Sequence, residues 1–173
     1  MPIFNPRSTT DDSAQLSDSN DQNPGVITPV DITLDTNDSI IGTAISHSET
    51  VNPEEITVNE DGVYIVAAQP QVGKTSGAQK ITFDMFLQKD TGSGFVDVPN
   101  SNIKLSIKDA DITDVVVSIF ALNLNAGDKI KMKQRIDNTS VGMGLKVAAA
   151  EVGPPTVPAT PSIIFMIHRL GDG

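Results

Sequence analysis

Cysteine is absent from the 173-residue sequence, which excludes disulfides, thiolate nucleophiles and cysteine-held zinc. Tryptophan is absent as well, Tyr64 is the only tyrosine, and His47 and His168 are the only imidazoles. The two histidines stand far apart and in no metal-ligand spacing. Without a Gly-x-Ser-x-Gly elbow they give little material for a serine-histidine-acid relay. Glu54 and Glu55 are adjacent, so on a strand they would face opposite sides rather than converge on one bond. The expectation is no enzyme, no metal and no cofactor.

Basic residues are also few: 12 Lys and Arg stand against 22 Asp and Glu, for a net charge of −10. Nothing here would neutralise a phosphate backbone, and the same charge opposes docking on anionic lipid. Long apolar runs are missing. No segment approaches the roughly 20 apolar residues of a spanning helix, and MPIFNPRSTT holds no apolar run of signal-peptide length. Synthesis in a cytoplasm follows, with neither nucleic acid nor membrane as partner; a basic protein surface would suit the charge.

What is present divides the chain in two. Between Ser8 and Asn23 only Ala14 and Leu16 are apolar, too few to offset the entropy of ordering. Residues 1–25 are therefore expected to form an extended polar arm held by another chain, and residues 26–173 a single domain. Pro2, Ile3, Phe4 and Pro6 make a short, extended-biased apolar hook ahead of that tether. Ile3, Phe4 and Leu16 are the expected anchors on a partner.

Beyond Pro24-Gly25 the sequence turns to short runs of Val, Ile, Thr and Phe between clusters of Gly, Pro, Asn and Asp, the pattern of strands and turns. Val30, Ile32 and Leu34 alternate with polar residues, and Ile40 to Ile45 continue an edge. Ile56, Val58, Val63 and Ile65 flank Asn59-Glu60-Asp61-Gly62 and predict a hairpin. Ile81, Phe83, Met85 and Leu87 share one parity of a long strand that turns at Lys89–Gly94 into Phe95, Val96 and Val98. Ile103 to Ile107 and Val115 to Leu122 follow.

Ile130, Met132, Gln134 and Ile136 then alternate with Lys129, Lys131, Lys133 and Arg135, placing four cations on one solvated strand face. After a weaker strand at Leu145 to Ala149, the prolines of Gly153–Pro161 forbid a sheet interior and predict an extended loop. Ile163 to Ile167 is apolar at every position, which predicts burial on both faces and so a subunit interface. No run carries helical periodicity. The reading is all-β, an antiparallel sandwich of eight or nine strands.

Val72-Gly73-Lys74-Thr75 ends like a P-loop, but the glycine required five positions before Gly73 is Ala68 and Pro70 interrupts, so a turn is expected instead. Asp109, Asp111 and Asp114 lack the glycine and the distal glutamate of a calcium loop.

The order of elements, with Gly62-Val-Tyr64 opening a strand, Leu122-Asn-Leu-Asn-Ala-Gly127-Asp128 before a late strand and an apolar strand at Ser162 to Leu170, resembles the C1q/TNF-like jelly-roll superfamily over roughly residues 30 to 170. The resemblance implies a homotrimer packed around a threefold axis, with Tyr64, Phe120, Phe165 and Ile167 at the trimer interface or in the core. Small jelly-roll trimers of this kind decorate bacteriophage heads. The expected function is accordingly that of a capsid decoration (cement) protein on the virion surface, attached through its arm to the major capsid protein or another virion protein. The alternative is a trimeric fibre-tip or adhesin-like module that recognises a carbohydrate or a surface protein.

Overall fold

The computed structural model describes residues 12–110 and 112–171. Among them are fourteen strands: β1 (Ser13–Asp18), β2 (Val30–Asp31), β3 (Thr36–Ile41), β4 (Ile45–His47), β5 (Ile56–Val58), β6 (Gly62–Gly73), β7 (Ile81–Asp90), β8 (Phe95–Asp97), β9 (Ile103–Ile107), β10 (Thr113–Val115), β11 (Ser118–Leu124), β12 (Lys129–Ile136), β13 (Gly144–Leu145) and β14 (Ile163–Gly171). Eight of them reach five residues. All pair antiparallel.

One sheet runs β10-β6-β14-β1-β3, with β11 and β13 also on β6; the other runs β4-β5-β12-β7-β8, with β2 on β12 and β9 on β7. Period-two alternation sends Leu16, Tyr64, Val66, Phe165 and Ile167 of the first sheet inward to meet Phe83, Met85, Leu87, Ile130 and Ile136 of the second. This antiparallel sandwich is the all-β jelly-roll class expected.

The arm is different. Ser13–Asp18 is a full strand of the first sheet, paired on one side to β14 and on the other to β3. Leu16, expected as an anchor on a partner, is wholly buried opposite Phe165, and Ala14 lies opposite Ile167. Two apolar residues suffice because they occupy alternate positions of one strand that inserts between two others. Asp12 fastens the start: its Oδ1 accepts from Thr43 N at 2.9 Å and Ala44 N at 3.2 Å. Gly42, at φ +78°, passes so close that a Cβ would overlap that carboxylate. The domain thus begins by Asp12 rather than at residue 26; Ile3 and Phe4 lie outside the described residues.

The hairpin expected at Asn59–Gly62 is also corrected. β5 pairs with β4 and β12, whereas β6 pairs in the other sheet, so the turn crosses the sandwich. Side chains hold it there: Asn59 Nδ2 donates to Thr43 O at 2.8 Å, and Asp61 Oδ1 accepts from Ala126 N at 2.8 Å. Gly62 serves by its lack of a Cβ, which would stand 2.6 Å from Gly171 O. The reversal at Lys89–Gly94 does close a hairpin, β7 with β8; Asp90 Oδ1 accepts from Gly92 N at 2.7 Å and Gly94 N at 2.8 Å. The proline segment closes on itself as a narrow ribbon, with bridges Ala148↔Thr160 and Glu151↔Val157.

Candidate interaction surfaces

The residues expected at a trimer interface or in the core fall mostly inside the sandwich. Tyr64, Phe165 and Ile167 are buried, and Phe120 packs against them partly exposed. The Tyr64 hydroxyl donates to Glu60 O at 2.7 Å. Burial pushes its pKa up to about 12, with Arg169 opposing and nearby carboxylates reinforcing the shift.

Lys74, the lysine of the P-loop-like string, turns inward. It is 4% exposed and its ammonium donates to Gln79 O, at 2.6 Å, and to Lys108 O. A lysine spent on two backbone carbonyls has little to offer a phosphate. His47 is likewise occupied, with Nδ1 2.6 Å from Asn37 Oδ1 and Nε2 2.9 Å from Pro53 O. Among the described residues no three His, Asp or Glu side chains gather as a metal site, and no helix is long and apolar enough to cross a membrane.

The outward face of the first sheet carries no lysine, arginine, aspartate or glutamate across the neighbouring strands β11, β6 and β14. Ile65, Ala67 and Gln69 of β6, Ile119, Ala121 and Asn123 of β11, and Ile164, Met166 and His168 of β14 all point away from the core. Val117 is 61% exposed, Ile119 66% and Met166 47%. With Ala67 and Ile164 they line a shallow apolar depression of about 190 Å³. β14 was expected to be covered on both faces. Among the described residues only its inward face is covered, by the second sheet.

The outward face of the second sheet is charged but paired. Lys129 meets Glu55 at 2.7 Å, Lys131 and Lys133 each meet Asp31 at 3.0 Å, and Asp84 lies 3.7 Å from Arg135 and 3.4 Å from Lys104. Lys131 also sits 4.2 Å above the Phe95 ring. The four cations share one face, as their alternation requires, yet Lys131 and Lys133 are 11% and 17% exposed rather than freely solvated. Burial pushes the Asp31 carboxyl up, but Lys133 and Lys131 outweigh it and hold it below its ordinary value. Asp31 lies a hundred residues before its partners, so no local pattern announces the pairing.

On the same face a groove of about 390 Å³ opens between the Val98–Asn102 loop and Pro29. Phe86 is half-buried among its walls. Along β7, Asp84 precedes Phe86 and is opposite Lys104 and Arg135, while Gln88 follows and is opposite Asp97. Asn102 Nδ2 donates to Asp84 Oδ1 at 3.1 Å, and Gln88 Nε2 donates to Asp97 Oδ1 at 2.8 Å. Asn100, at the lip, holds a left-handed backbone with φ +62°.

The sequence matches no known protein family and no curated protein. Its fold has solved counterparts. Crystal structures of murine APRIL at pH 5.0 and pH 8.0 each superpose with a TM-score of 0.58, and a third at pH 8.5 with 0.56. Each is 11% identical and covers 92% of this chain and 99% of its own. At that identity the likeness concerns architecture, and the chain has a TNF-like jelly-roll fold.

Proposed function

We propose that the chain is a non-enzymatic structural protein that associates with itself into a homotrimer through the outward face of its first sheet. The observation that carries this reading is the uncharged strip from Ile119 through Ala67 to Met166. An antiparallel sheet facing water places polar residues on its wet side, and one residue in five of this chain is charged. A strip three strands wide without a lysine, arginine, aspartate or glutamate marks a protein contact. A second copy fits it because two surfaces of a chain with net charge −10 can meet there without opposing carboxylates. The TNF-like fold supports three copies, as the superfamily resemblance implies.

Within this reading the trimer decorates a capsid, with residues 1–11 of each copy as the attachment. Ile3 and Phe4 keep their role as anchors on a capsid or other virion protein, and Leu16 leaves that set. Three attachments per particle raise one another's effective concentration, so modest contacts sum to firm binding. Sedimentation velocity tests the association: Ile119→Glu and Met166→Glu should release single chains that melt like a folded domain, and a wild-type mass retained in both variants would refute the face. Cosedimentation with capsids tests the attachment. The full chain should pellet with them, a chain lacking residues 1–11 should not, and equal pelleting of both would overturn the arm's role.

A further inference from the structure

We infer that the groove over Phe86 is a binding site for a neutral carbohydrate, a role independent of the association proposed above. A pyranoside presents an apolar C–H face and a rim of hydroxyls that each donate and accept. Both demands are met on one face, by β7, its partner β8 and the loop that follows. Phe86 offers a ring face for the C–H face. Asp84 and Asp97 offer carboxylate acceptors on either side of it, and Asn100 and Asn102 bring amides that donate and accept.

The charges settle the class of sugar. Two carboxylates and two cations, Lys104 and Arg135, line the groove, and the cations already face Asp84. A sugar acid would have to displace Asp84 from them, whereas hydroxyls can join the pairs without breaking any. The groove volume falls at the small end of ordinary ligand sites, about 300–1,000 Å³.

The site is also built rather than incidental. Asp84 is 6% exposed and is held by three neighbours, Asn102, Lys104 and Arg135. Arg135 is oriented by its Nε, which donates to Ile27 O at 3.0 Å. The Val98–Asn102 wall is fixed to β7, since Ser101 Oγ accepts from Leu87 N at 3.0 Å and donates to Val98 O at 2.8 Å.

The test is saturation-transfer NMR on the full chain with lactose, maltose, cellobiose, diacetylchitobiose and, as the charged arm, sialyllactose. Transfer to the ring C–H protons of at least one neutral disaccharide is expected. Phe86→Ala should weaken it about tenfold, the loss of one well-made aromatic contact. Asp97→Ala, at an exposed position bonded only to Gln88, should weaken it as well in a protein that melts like wild type, and this variant decides should Phe86→Ala not fold. No transfer to any neutral sugar, transfer unaffected by these substitutions, or a preference for sialyllactose would each overturn the assignment.

Discussion

Replacing Leu16 with alanine tests whether the first described residues belong to the domain. Leu16 has no exposed surface, lies between β14 and β3, and contacts a core that includes Phe165. Truncating a leucine so placed removes its transfer free energy and leaves a cavity that two paired neighbours prevent from collapsing, a cost of about 3 kcal/mol. With a urea slope of about 2 kcal/mol/M, the midpoint should fall by about 1.5 M with the slope unchanged. Wild type and variant must be compared at one chain concentration, because the proposed association would add to apparent stability. A midpoint within about 0.3 M of wild type would show that Leu16 is dispensable to the core and return it to a detachable arm. Deleting residues 1–25, which removes β1 from the middle of its sheet, should abolish folding, while deleting residues 1–11 should leave the melting transition in place.

Lys74→Met should cost about 2 kcal/mol in urea titration, because Gln79 O and Lys108 O lose their shared donor; unchanged stability would mean that neither carbonyl depends on it. Gly42→Ala should lower the melting temperature by several degrees, since the position has φ +78° and the added Cβ meets Asp12. Asp31 carries a pH signature. Its folded pKa lies below 3.8, so its contribution is present above that ordinary value and lost as pH falls through the folded one. Asp31→Asn should therefore destabilise by about 1 kcal/mol or less at pH 7, solvent screening included, and the gap should close toward pH 2; a gap independent of pH would refute the ion-pair account.

Much of the fold was legible because alternation is a local signal. The parities of Ile81 to Leu87 and of Lys129 to Ile136 show directly which side chains line the core and which face water. The turn at Asn59–Gly62 was misread because its residues report a reversal but not which sheet the chain enters next; the choice depends on Thr43, Ala126 and Gly171, all remote in sequence. β1 escaped notice since a short strand held between two others needs few apolar residues of its own. The unbroken apolar run at Ile163 to Ile167 belongs to a strand whose outward face the described residues leave uncovered. Phe86 lies on the opposite parity of its strand, and the Asp97, Asn100 and Arg135 that line the groove with it come from a neighbouring strand, a loop and β12, so no local pattern announces them.

The association through that uncovered face is tested most directly by the mass of the full chain in solution, measured by light scattering over a range of concentrations. A single species at three times the 18.3 kDa chain mass, stable on dilution, is the predicted result. A species of 18.3 kDa at every concentration would contradict it.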